Sequence, residues 1–186
     1  MRAFIIFLAL IVIVGGFWFF MVNVFDKFDP NKTYSSSKFD FSFSYPKTYF
    51  LEEKEVGNGE RGHYVIILTA DTPENKAVRE GRSPGREGPI AITIDIYQNN
   101  LDKLSIENWI RNVNFSNFKF SDGTLASTTI AQEPALEYYW SGLYEARSIV
   151  FAHGGNIFSV VATYMNPSDM TLSDLPAILE SWQFNI

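Results

Sequence analysis

Phe39, Phe41, Phe43 and Tyr45 alternate with polar residues, the period of a strand with one buried face. Pro46 ends that run. Tyr49 to Val56 is a weaker strand, and Gly57 to Gly62 a turn. His63 to Ala70 (HYVIILTA) is apolar enough for a strand inside a sheet. Ile90, Ile92, Ile94 and Ile96 restore the two-residue period, and Ser127 to Ile130 is a short strand. Ala135 to Tyr164 reads as a three-stranded meander with turns at Ser141-Gly142 and Gly154-Gly155. Glycine at such turns supplies positive φ. Two-residue turns pair Tyr139 with Tyr144, Phe151 with Phe158 and Ile149 with Val160. That register puts Leu136, Tyr138 and Trp140 on the face of Ile149, Phe151, Phe158 and Val160. Tyr139, Tyr144, Val150 and Ile157 take the other face.

Elsewhere the spacing is helical. Thr72 caps a short helix with Pro73 at its first position. Ser105 caps a second helix, to Val113, whose apolar face is Ile106, Trp109, Ile110 and Val113. Leu104 and Trp109 stand at hydrophobic-staple spacing. Phe115, Phe118 and Phe120 are expected to continue the burial. A third helix is predicted from a Ser173 cap to Trp182, with Pro176 in its first turn. The predicted fold class is α+β, an antiparallel β-sheet with helices packed on its faces.

Ala3 to Val22 is a run of twenty residues without a charge, long enough as a helix to cross the roughly 30 Å hydrocarbon layer. Phe17 to Phe20 crowd its outer end like an interfacial aromatic belt. Arg2 and the N-terminal amine before it and Asp26, Lys27 and Asp29 after it put the N-terminus in the cytoplasm. A cleaved signal peptide has a shorter apolar region and small residues at the cut, which Phe20-Met21-Val22-Asn23 does not supply. The expected plan is a transmembrane anchor at 1–24, a tether at 25–37 and an extracytoplasmic domain at 38–186.

Charge and chemistry narrow the function. The net charge is −6, with 15 basic and 21 acidic residues among 186, which argues against nucleic acid as a partner. The absence of cysteine excludes disulfides, lipobox acylation and thiolate chemistry. Neither a nucleophile elbow, nor a P-loop, nor a H-E-x-x-H motif occurs. His63 and His153 are the two histidines, too few for a usual catalytic zinc site. Glu52, Glu53 and Glu55 lack calcium-loop spacing. Glu133 and Glu137 have no neighbourhood that raises a carboxyl pKa.

FSFSYPKTY, PIAITIDIY, SIENWI, AQEPALEYYW, SIVFAHGGNIFSVVATY and LPAILESWQF together resemble PsbP-type domains, from about Phe39 to Phe184. The superfamily that the chain resembles includes the PsbP extrinsic subunits of photosystem II, bacterial DcrB-like envelope proteins and a Ran-binding nuclear-transport factor. The resemblance implies an antiparallel sheet with helices on both faces. It implies no single function, because its members bind different partners. Plant members are soluble lumenal subunits that help retain calcium and chloride in photosystem II. A membrane anchor departs from that plan, so their role is not carried over.

The expected function is a non-catalytic, membrane-anchored, extracytoplasmic binding or assembly module. It needs no cofactor and has a protein partner in the membrane or envelope. Its candidate contact residues are Arg79, Arg82 and Arg86 in the loop from Asp71 to Pro89, and Tyr139 and Tyr144. Arginine suits such a loop because its planar guanidinium grips carboxylates and phosphates with two prongs. The alternative is a small-molecule or ion-binding accessory subunit of an envelope enzyme or photosynthetic complex, using the Arg79–Arg86 loop and His153.

Overall fold

The computed structural model describes residues 29–58, 60–83 and 87–185. The apolar run Ala3 to Val22 and Arg86 lie outside the described residues. Thr33–Ile186 forms one compact unit and Met1–Lys32 another. In the latter, Asp29 Oδ1 accepts a 2.8 Å bond from the Asn31 N–H. Among the described residues, no helix is long and apolar enough to cross a membrane.

Seven strands form one antiparallel sheet: β3 (Tyr49–Glu55), β4 (His63–Ala70), β5 (Ala91–Gln98), β6 (Ala126–Ile130), β7 (Glu133–Ser141), β8 (Glu145–His153) and β9 (Asn156–Tyr164). Their order is β3-β4-β5-β9-β8-β7-β6. Three further strands, β1 (Asn31–Ser36), β2 (Phe41–Pro46) and β10 (Gln183–Phe184), make a small sheet ordered β1-β2-β10. The helices are α1 (Pro73–Arg79), α2 (Ile106–Asn112) and α3 (Met170–Glu180). Strand β1 falls inside the stretch read as a tether. Its sequence, NKTYSS, turns one large apolar residue inward, so no period was visible.

The large sheet separates two cores. On one face, Ile66, Leu68, Ile92, Ile94, Ile96, Phe151, Phe158 and Val160 pack with Phe41 and Phe43 of β2 and with Leu175 and Ile178 of α3. Trp182, just past α3, sits at the centre and is 2% exposed. It stacks on Phe41 at 4.7 Å and on Phe43 at 5.3 Å, while Phe151 and Phe158 meet it edge-on. Its buried Nε1 has no hydrogen-bond partner among the described residues. The other face carries a smaller core of Trp109, Ile110, Tyr138, Val150 and Ile157, closed by α2 and by 3-10 turns at Asn114–Ser116 and Phe118–Phe120.

Local signals place most helix starts. Thr72 accepts from the Asn75 N–H and Ser105 from the Asn108 N–H, as caps do. Leu104 packs with Trp109, as the staple spacing predicts. Three expectations are corrected. The β7–β8 turn is longer than two residues, so Tyr139 pairs with Arg147 and Ser141 with Glu145, while Tyr144 sits in the turn. The shift is odd, so Leu136, Tyr138 and Trp140 move to the α2 face with Val150. The β8–β9 pairs Phe151–Phe158 and Ile149–Val160 stand as expected. Helix α3 begins at Met170 with Asp169 as cap, so Ser173 and Pro176 are interior. The missing N–H of Pro176 is offset by the packing of Leu175, Ile178 and Leu179. Phe115 and Phe120 are exposed, at 68% and 51%.

Trp182→Ala should cost about 3–5 kcal/mol in denaturant unfolding, as large aromatic truncations in a filled core do. Trp109→Ala on the opposite face should cost a comparable amount. Losses below about 1 kcal/mol at both positions, well short of that range, would place the cores elsewhere.

Candidate binding site

The β3–β4 hairpin and the β5–α2 connection meet at one end of the large sheet. The N–H groups of Val56 and Gly57 both donate to the His63 carbonyl, at 2.9 and 3.1 Å. A Cβ on Gly57 would stand 2.2 Å from His63 N and 2.4 Å from Arg61 O, so the hairpin closes only around glycine. Asn58 Oδ1 accepts from the Glu60 and Arg61 N–H groups at 3.1 and 2.8 Å, turning the chain back. The Gln98 N–H donates to Gly62 O at 2.9 Å, and Gln98 Oε1 accepts from the Gly62 N–H at 3.3 Å. The Asn99 side chain bonds both backbone groups of Leu104, at 2.9 and 3.0 Å, and so fixes the connection into α2.

These braces leave a cleft of about 400 Å³. Aromatic side chains line it. His63 and Tyr97, opposite each other in β4 and β5, stack at 4.1 Å. Phe115 lies nearly parallel to Tyr97 at 5.7 Å, and Trp109 meets Tyr97 at 5.1 Å. His63 Nε2 is 2.7 Å from Asp95 Oδ1. Burial first, and then Asp95, pushes the Tyr97 hydroxyl pKa well up. At the rim the Arg61 guanidinium grips both carboxylate oxygens of Asp102, the Nη2–Oδ1 contact being 3.2 Å. That bond holds the Asp102 carboxyl below its ordinary range. Among the described residues, no three metal-ligating carboxylate or imidazole side chains converge.

The residues singled out in the sequence lie elsewhere. Arg79 Nη2 donates to Asp71 Oδ1 at 2.8 Å, Nη1 to Thr69 Oγ1 at 3.3 Å, and the guanidinium lies 3.9 Å over the Phe50 ring. Arg82 pairs with Glu80 at 2.7 Å. The Tyr144 hydroxyl donates to Gly88 O at 2.7 Å and so ties the β7–β8 turn to the loop. Tyr139 is 51% exposed, on the sheet face shared with Glu137 and Arg147. His153 Nδ1 is 2.7 Å from Glu133 Oε1, and its ring stacks on Phe184 at 3.6 Å. The register sets Arg79 and His153 apart. Ala91 of β5 pairs with Thr69 beside Arg79, while Gln98 pairs with Asn156, the partner of His153. Those ends are roughly 23 Å apart at the rise of a strand, so Arg79 and His153 do not share one site.

The cleft residues Arg61, Tyr97, Asp102 and Phe115, and Asp95 behind His63, were missed. One signal was present. Asp95 and Tyr97 both fall on the polar side of the alternation in AITIDIYQ.

The arrangement of strands and helices is similar to the solution structure of cyanobacterial PsbP (CyanoP) from Synechocystis sp. PCC 6803. The TM-score is 0.52 over 83% of this chain and 92% of that one, at 10% identity. The fold is PsbP-like. At that identity the likeness concerns fold alone. No family model and no curated protein matches the chain.

The Tyr139 face has its own ion pair. Arg147 Nε and Nη2 each donate to Glu137 at 3.0 Å. Burial pushes the Glu137 carboxyl upward, but the bonds from Arg147 and Tyr139 outweigh it and leave the pKa lowered. A lowered folded pKa stabilises fully above the ordinary value of 4.5 and loses that share as pH falls through the folded value. Glu137→Gln should therefore lower stability by about 1 kcal/mol at neutral pH, the difference between a charged and a neutral hydrogen bond. The variant should also flatten the acid limb below about pH 4.5. Parallel acid limbs for the two proteins would show that the pair contributes nothing.

Proposed function

We propose that this chain is a membrane-anchored, extracytoplasmic binding module with no catalysis of its own. The observation that carries this reading is the cleft between the β3–β4 hairpin and α2. Its ionisable groups are tied to one another, Arg61 to Asp102 and His63 to Asp95. A rigid, aromatic-lined cleft with a polar rim suits recognition, and its volume lies in the range of small-molecule sites.

The anchor in this reading is the uncharged run Ala3 to Val22, and the charge bias around it directs the domain outward. A protein partner in the membrane or envelope fits the Tyr139 end of the sheet, where an exposed tyrosine stands beside the Glu137–Arg147 pair. The loop from Asp71 to Pro89, with Arg82 and Arg86, is a second contact segment. The PsbP-like fold supports an accessory role. A small-molecule-binding accessory subunit is the reading that the cleft volume favours in particular.

Protease added to spheroplasts should remove the domain from the intact membrane. Cleavage only after lysis would overturn the orientation. A photo-crosslinker at position 139 should capture a membrane or envelope protein that one at exposed Lys119 does not. Identical capture at both positions would remove the Tyr139 face from the proposal.

A further inference from the structure

We propose that the cleft between the β3–β4 hairpin and α2 is a carbohydrate site that takes a neutral saccharide. The first observation is Phe115. It is 68% exposed, yet its backbone is fixed. The hydroxyl of the next residue, buried Ser116, lies 2.6 Å from Ile110 O, and the Ser116 carbonyl accepts a 2.5 Å bond from the Tyr138 hydroxyl. A large apolar ring held rigidly in water loses the burial free energy a core would give it, and here it extends the ring surface of Tyr97 and His63 along the cleft. One face of a pyranose ring carries C–H bonds with small positive partial charge. That face packs on the negative π face of an aromatic ring.

The second observation is the polar rim. Hydroxyl groups both donate and accept, so a sugar needs both kinds of partner side by side. Arg61 and Asp102 present them as two planar groups locked together. Gln98 and Asn58 add donors of known orientation. Their carbonyl oxygens already accept from backbone N–H groups, which leaves each NH₂ end for a ligand.

The third observation is charge. Arg61 is matched by Asp102 at the rim of a protein whose net charge is −6. A phosphate or carboxylate would compete with Asp102 for Arg61, and a cation would compete with Arg61 for Asp102. A neutral ligand leaves the pair intact. An extended peptide added as a strand is disfavoured, because β4 and β5 spend their backbone groups on each other and on β3 and β9.

The proposal rests on the reading of the chain as a binding module, and two measurements separate them. The full chain, in a zwitterionic detergent without a sugar headgroup, is applied to an array of neutral and sialylated oligosaccharides and to a proline-rich decapeptide. The best neutral glycan is then titrated against tryptophan fluorescence. The expected result is capture by a neutral glycan, with Kd weakened at least tenfold in Phe115→Ala and in Asp102→Asn and unchanged in Lys119→Ala, at an exposed position outside the cleft. Phe115→Ala removes an exposed ring, so its unfolding midpoint should stay near that of the parent. A folded chain that captures no neutral glycan overturns the proposal. So does preference for sialylated glycans, affinity unchanged in Phe115→Ala, or Phe115-dependent capture of the decapeptide alone. Failure here with the position-139 crosslink retained leaves the binding-module reading standing. Loss of both removes it.

Discussion

The ring of Trp182 joins parts of the chain that are far apart in sequence. It lies flat on Phe41 and Phe43 from the start of the domain and edge-on to Phe151 and Phe158 of the large sheet. Without it, β2 would lose the ring on which both of its phenylalanines stack. The polar contacts around it act in the same direction. Ser181 Oγ accepts from the Ser44 N–H at 2.9 Å, and the Asn185 N–H donates to Asp40 O at 2.7 Å. The C-terminal segment thus fastens the small sheet over the large one, and this layer leaves the α2 face free for a different task.

That second face is organised around Tyr138. The phenol is buried, its pKa is pushed up to about 12, chiefly by that burial, and its hydroxyl bonds the carbonyl of Ser116. The same ring meets Phe118 edge-on at 5.3 Å. A strand residue of β7 therefore sets the 3-10 turns after α2, and through them the position of Phe115. The cleft inherits its rigidity from a buried hydrogen bond on its far side. Gly57 does the same for the hairpin wall, since any side chain there would collide with His63 and Arg61 backbone atoms.

The cleft and the Tyr139 surface lie on opposite faces of one sheet, which lets a single small domain hold two separable contacts. His63, Tyr97 and Trp109 are on the α2 side, and Tyr139 with Glu137 and Arg147 is on the α3 side, beyond the reach of the helix. Arg79, read from sequence as a free gripping group, instead staples α1 to Thr69 and Asp71 and covers Phe50.

Features governed by neighbours in the chain were legible beforehand. The two-residue period marked the strands, and the caps at Thr72 and Ser105 were visible because a cap side chain bonds a backbone group three residues on. The tight Gly154-Gly155 turn gave the β8–β9 register. The β7–β8 register was not legible, since one extra turn residue changes no hydrophobic position yet flips every side chain of β7. The pairing of β10 with β2 was hidden because two residues carry no period. The cleft was hidden for a related reason. Arg61, Tyr97, Asp102 and Phe115 each look like ordinary surface or core residues alone, and pairing and packing between distant segments bring them together. The sequence by itself determined most of the strands of the large sheet, the starts of α1 and α2 and the oily side of the alternating strands, because those are local properties. Tertiary structure decided which strands are neighbours, which aromatic rings stay wet and which charges are spent on each other, because those depend on contacts that no short window of the chain contains.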